Sequence, residues 1–301
     1  MTMVVNPGRR DRLWRGFVIA TPYLWLLFFF LIPFAIVLKI SFADPLVAQP
    51  PFSDFFDWSG GATDRVLATF DNYRFLLEDK LYLVSYLKSI KIALIATLLC
   101  LLLGFPMAYA IALTPYPWRN LLLLLVILPF WTSFLLRVYA WMVMLGKQGL
   151  INHLLMSLGL IDEPLQMLYT DGAVYLGIVY TYVPFMILPL YATLEKLDLD
   201  LHEAAADLGA RPRQVFRDIT LPLALPGIIA GCLLVFIPAL GEYVIPALLG
   251  GLDSLMIGRT LYDEFFVNRD WPLASAVAVV LLLILVLPIM LFQRLQQEPD
   301  T

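Results

Sequence analysis

Six apolar runs, at about residues 16–42, 86–113, 120–145, 173–194, 223–250 and 271–293, constrain this chain more than any other feature. Each reaches the roughly 20 residues that a helix needs to cross a bilayer. Backbone N–H and C=O groups find no water there, so a spanning segment of this length has to be helical. The expected fold is all-α: a polytopic membrane protein with six transmembrane helices. Composition agrees, with 61% hydrophobic and 15% charged residues and a mean hydropathy of +0.82, well outside the soluble norm. The first run is too long for the apolar core of a signal peptide and has no small-residue cleavage site, so it is expected to remain as an anchor. Cys100 and Cys232 both fall inside apolar runs and read as small core residues, not as a disulfide or metal pair.

Six crossings put both ends on one side. The N-terminal stretch, the 114–119 turn, the 195–222 segment and the tail together hold 10 Lys and Arg residues, against 6 in the longer loops 43–85, 146–172 and 251–270. By the positive-inside rule, both termini and the 195–222 segment are expected in the cytoplasm. The opposite loops hold 14 of the 24 acidic residues, including Asp54, Asp57, Asp64, Asp71, Asp263, Glu264 and Asp270. Two readings stay open. Such a mouth can concentrate cations over a Debye length of about 8–10 Å, or these are ordinary solvated loops.

The segment 195–222 is a polar island with its own pattern of helix, break and helix. Asp198 or Asp200 can cap a helix on which Leu201, Ala204, Ala205 and Leu208 share a face. Gly209 stands where a helix C-terminus favours a left-handed residue, and Pro212 suits the first turn of a second helix. That helix would show Val215, Phe216 and Ile219 on one side, with Arg211, Arg213 and Arg217 elsewhere, and Pro222 is expected to end it. A small-residue tip lets another protein approach the backbone closely, so the island reads as a docking element.

Glu203-Ala204-Ala205, three residues, Gly209, nine residues, then Ile219-x-Leu221-Pro222 resembles the coupling-loop signature of permease subunits in binding-protein-dependent ABC importers. The resemblance extends along nearly the whole chain. Leu128-Pro129-Phe130-Trp131-Thr132-Ser133, Gly241-Glu242-Tyr243-Val244-Ile245-Pro246 and Met256-Ile257-Gly258-Arg259 look like the polyamine branch of that family, its putrescine permeases in particular. It implies a type I ABC importer permease fold and a single permease domain over 1–301, carrying a cytoplasmic coupling loop at 195–222. It also implies a bacterial inner-membrane location, a second homologous permease, two ATPase subunits and an extracytoplasmic polyamine-binding protein. No cofactor is expected in this chain, because ATP and Mg would sit on the partner ATPase. ATP binding would close the ATPase pair, draw the two docking segments together and switch the pore from inward to outward access. Glu203 and Gly209 would carry the coupling.

Glu242 is the acidic residue placed well inside an apolar run. A charge there costs at least about 2.5 kcal/mol on insertion scales, so it should face protein or a wet cavity. It could contact a cationic substrate on its route, or it could pair with Arg137, the intramembrane base. Aromatic faces attract ammonium groups, which makes Tyr243, Trp131, Tyr180 and Tyr182 further candidates for the pathway, with Tyr139 and Trp141 nearby. Membrane-interface aromatic belts account for such residues equally well.

Gly146-Lys147 is followed by Gln148 and lacks the upstream glycine of a phosphate loop. His153 and His202 show no metal-ligand spacing, and no nucleophile motif stands out, so no catalytic or metal site is expected. A self-contained secondary transporter usually shows internal repeats and several intramembrane ionisable groups; neither is evident. The remaining alternative is an importer permease for another small solute.

Overall fold

The computed structural model describes residues 9–53, 69–198, 200–251 and 254–297, with the side chains of 17–53 and of the later segments up to 290. Asp54, Asp57 and Asp64 lie outside the described residues. Helices succeed one another as α1 (Arg9–Leu26), α2 (Ile32–Ile40), α3 (Asp71–Glu78), α4 (Lys80–Leu113), α5 (Trp118–Ile127), α6 (Phe134–Leu145) and α7 (Leu150–Ser157). They continue with α8 (Asp171–Leu194), α9 (Asp200–Asp207), α10 (Pro212–Val215), α11 (Leu221–Leu240), α12 (Val244–Leu249), α13 (Ile257–Tyr262) and α14 (Trp271–Gln297). Among the described residues six helical stretches are long and apolar enough to cross a membrane: Phe17–Ile40, Lys80–Leu113, Phe134–Ser157, Asp171–Leu194, Pro212–Leu240 and Trp271–Met290.

Internal contacts divide the chain into two units, Met1–Glu78 with Glu264–Val280, and Asp79–Asp263 with Leu281–Thr301. In the first, a π-turn at Leu27–Leu31 joins α1 to α2, and the apolar window of this span has no buried residue. The loop after α2 is fastened by Asn72, whose Nδ2 donates to the carbonyls of Ser41 (3.1 Å) and Ala43 (2.8 Å).

The core of the second unit is formed by α4, α8 and α11. One cluster joins Ile92, Ala93 and Ala96 of α4 to Val174 and Ile178 of α8, Ala239 and Leu240 of α11, and Ile245 and Leu249 of α12. A second joins Cys100 and Ala108 to Met186, Ile187, Leu190, Ala224 and Val235. Lipid tails are as apolar as leucine, so helices associate in a bilayer through close packing, which favours small residues at the contact. Met186 shows this directly. It is fully buried between Gly104 and Gly231, where an added Cβ would stand 2.9 Å from its Cγ and 2.7 Å from its Sδ respectively.

Two spans and one proline depart from expectation. The run expected at 120–145 is two helices: a 3₁₀ turn at Leu128–Trp131 follows α5, and α6 starts afresh at Phe134 after Thr132 and Ser133. The proline at the start of that turn and the extended Thr132 (ψ 149°) interrupt the helix. The run at 223–250 keeps Pro226 and Pro238 inside α11 and breaks at Gly241–Tyr243. Nor does Pro222 end a helix. It is the second residue of α11 and lies within a continuous helix, directly after a π-turn. A π-turn at Phe216–Thr220, with the Leu221 N–H reaching the Phe216 carbonyl, carries α10 directly into α11.

Substituting Gly231→Leu should lower the stability of the detergent-solubilised protein by about 1–3 kcal/mol through overpacking, read as a lower melting temperature. Adding Met186→Ala should recover part of the loss, because the two sites share one space. A Gly231→Leu variant melting at the wild-type temperature would refute this packing.

Candidate functional site

Glu242 lies in the break between α11 and α12 and is only 7% exposed. The break frees backbone donors at the start of α12, and Oε1 accepts from the N–H groups of Val244 (3.0 Å) and Ile245 (3.4 Å). Oε2 accepts a short hydrogen bond from the Tyr182 hydroxyl. Gly258 makes this arrangement possible from the other side, because an added Cβ there would stand 2.3 Å from the Gly241 carbonyl oxygen. The carboxylate thus satisfies donors that the bilayer would otherwise leave bare, and three donors satisfy it in turn. A cation reaching Glu242 would have to compete with the Tyr182 O–H.

Arg137 is not its partner. Among the described residues, Nε and Nη1 of Arg137 are buried without a hydrogen-bond acceptor. The guanidinium instead stands 5.8 Å from the Phe130 ring centre and 6.0 Å from that of Phe134.

The other pathway candidates do not converge on Glu242. Tyr180 meets Trp141 edge to face at 5.4 Å. Tyr243 stacks on Tyr262 at 4.0 Å, and Trp131 is 75% exposed. Tyr180 and Tyr182 are two residues apart on one helix and therefore point to different sides, so only one of them can face the carboxylate. The sequence holds this signal. It does not reveal Phe185, which lies 6.0 Å from Tyr182 and 5.1 Å from Phe130 and so links the Glu242 side to the Arg137 side.

Acidic residues of the longer loops are largely engaged. Asp171 meets Lys88 at 3.6 Å and accepts from Ser254 at 2.5 Å, and Asp263 faces Arg259 at 3.9 Å. Glu264 accepts from Asn268 at 2.8 Å. Within the first unit Asp44, Asp71, Glu78 and Asp270 line a cavity of about 460 Å³ together with Arg74. Burial pushes the Asp270 carboxyl above its ordinary range, aided by Glu264 and opposed by the Leu273 N–H.

The polar island forms two short helices around a tight turn. Gly209 has φ +82°, the left-handed conformation that only glycine adopts freely. Its N–H donates to Ala206 (2.9 Å) and that of Ala210 to Ala205 (3.0 Å), a Schellman pattern that closes α9. Nothing within 4 Å would meet a Cβ at Gly209. Glu203 and Ala204 are exposed, and Leu208 is 90% exposed, so the apolar face of α9 is uncovered. Behind it the island is anchored. His202 Nε2 and Thr220 Oγ1 are 3.1 Å apart, and Phe216 sits edge-on to Phe105 of α4 at 5.6 Å. Ile219 is partly buried, and Leu221 and Pro222 open α11. Sequence reasoning missed Arg119, which donates to Glu195 (3.1 Å) and to the carbonyls of Ala112 (2.8 Å) and Thr114 (3.1 Å). It ties the end of α4 to the start of the island.

Residues 1–298 match the family described as the binding-protein-dependent transport system inner membrane component. The chain is 45% identical over 230 residues to the spermidine/putrescine transport system permease protein PotB of Escherichia coli, covering 76% of this chain and 83% of that protein. To PotB of Haemophilus influenzae it is 42% identical over 276 residues, 92% of each chain. Among solved structures it is similar to a chain of the bacterial alginate ABC transporter in complex with alginate pentasaccharide-bound periplasmic protein. There the TM-score is 0.69 and the identity 20%, over 96% of this chain and 95% of that one. Six apolar helices, an all-α architecture shared with importer permeases and a family match over almost every residue lead to one conclusion: the chain belongs to the inner membrane components of binding-protein-dependent transport systems and is an ABC importer permease.

Proposed function

We propose that this permease carries polyamines, putrescine and also spermidine, across the inner membrane by alternating access. The observation that carries the reading is the 42% identity over 92% of both chains to a permease named for spermidine and putrescine. The geometry supports a cationic cargo through Glu242, a buried carboxylate held by a hydroxyl that can be displaced. Polyamine ammonium groups would compete with Tyr182 for Oε2. Tyr243, Trp131 and Tyr180 would offer aromatic faces elsewhere along the route, each worth about 0.5–2 kcal/mol toward an ammonium.

In this reading the whole chain is one permease domain with both termini in the cytoplasm, and 195–222 is the coupling loop. It works with a second homologous permease, two ATPase subunits and an extracytoplasmic polyamine-binding protein. The open face of α9, presenting Glu203, Ala204, Ala205 and Leu208 beside Gly209, is the surface the ATPase grips. Ile219, Leu221 and Pro222 pass its displacement without a joint into α11, since the π-turn keeps the chain helical through them.

Uptake of labelled putrescine and spermidine by cells with and without this chain, partners present, tests the cargo. Loss of both on deletion is expected, and unchanged polyamine uptake would refute it. Glu242→Gln should reduce uptake efficiency by about tenfold or more, the weight of a hydrogen bond to a charged group, with the assembled complex intact; unchanged uptake would return Glu242 to a purely structural role. Gly209→Trp should leave the protein in the membrane and abolish transport, whereas Gly209→Asn, which tolerates φ > 0, should keep most of it. Normal uptake by the tryptophan variant would sink the coupling role of the loop.

A further inference from the structure

Arg137 carries a charge for which the described residues offer no hydrogen-bonded acceptor at Nε or Nη1. Both atoms are buried, and the guanidinium carbon stands 5.8 Å from the ring centre of Phe130 and 6.0 Å from that of Phe134. Phe130 packs on Phe185, which adjoins Tyr182. Arg137 belongs to an apolar helix, α6, where a guanidinium is costly unless it finds an acceptor. A polyamine would be repelled by that charge. Intramembrane arginines pair with an acid or with carbonyls, and those that do not face a cavity face protein.

From this we infer that Arg137 is an intersubunit contact: it pairs with a carboxylate, Asp or Glu, on the second permease subunit of the importer. The inference rests on the proposed two-permease assembly. The surroundings fit a protein face. Leu135, Leu136, Tyr139 and Val143 around it on α6 are all exposed, while Val138 turns to the core. A second copy of this chain is a poor match. The intramembrane carboxylate it would offer, Glu242, already accepts from Tyr182, Val244 and Ile245. The partner is therefore a different permease with its own intramembrane acid. A bidentate guanidinium–carboxylate contact would fix the register of the two subunits and would shield the cargo route from a positive charge.

The test compares the assembled importer with the chain alone. Affinity-tagged wild-type chain, co-expressed with the other importer subunits and extracted in mild detergent, should bring down the second permease. Arg137→Met should cut that recovery by at least about tenfold, as expected when one member of a buried charge pair is removed. Purified without partners, the same variant should melt at or above the wild-type temperature, because it loses an unpaired charge. Arg137→Glu combined with reversal to Arg of one intramembrane acid of the second permease should restore recovery. Wild-type recovery with Arg137→Met, or a matching fall in the melting temperature of the lone chain, would overturn the inference. If the wild-type chain itself brings down no second permease, the two-permease assembly fails, and this contact with it.

Discussion

Met186 wedged between Gly104 and Gly231 is the contact on which the rest of this permease depends. Without hydrophobic drive between helices in a bilayer, α4, α8 and α11 hold together only as closely as their side chains allow, and here the glycines allow backbone approach. Gly227 repeats the device nearer the cytoplasmic end expected for α11, where a Cβ would stand 2.6 Å from Thr193 Oγ1. The consequence is mechanical. The 195–222 loop hangs between α8 and α11, and the same two helices bring Tyr182 and Glu242 together. In the proposed coupling, closely packed helices would shift as units and carry force on the loop to the Tyr182–Glu242 bond.

That bond sits where the chain departs most from regular helix. A break inside a membrane leaves backbone donors unsatisfied, and a carboxylate is a strong acceptor for them. Glu242 closes the start of α12 and gains Tyr182 as a third donor. The anion is internally complete, while Arg137, connected to it through Phe185 and Phe130, is not. The asymmetry is what the proposed intersubunit contact of Arg137 rests on.

Much of the architecture was legible because it follows from local rules. Run length gave the spans, and the small-residue island with Gly209 gave the left-handed turn seen at φ +82°. Pro222 misled because a proline after an amphipathic stretch usually stops a helix, whereas here a π-turn just before it carries the helix through. The break at Thr132 and Ser133 was hidden by uniform apolarity on both sides. Pairing of Glu242 with Arg137 was one of two readings open on charge, yet their partners are set by which faces of α6, α8 and α11 meet, which spacing along one chain does not encode. Tyr182, by contrast, could have been preferred to Tyr180 only once the side of α8 facing Glu242 was known.

In the proposed assembly the 195–222 loop is the ATPase's handle, and Leu208 beside the Gly209 turn is 90% exposed. A photoreactive amino acid in place of Leu208, activated in the assembled importer in native membranes, tests this directly. The predicted result is an adduct with the ATPase subunit, absent when the same group replaces Leu160, an exposed residue of a loop expected on the opposite side. An ATPase adduct from Leu160 and none from Leu208 would contradict the account.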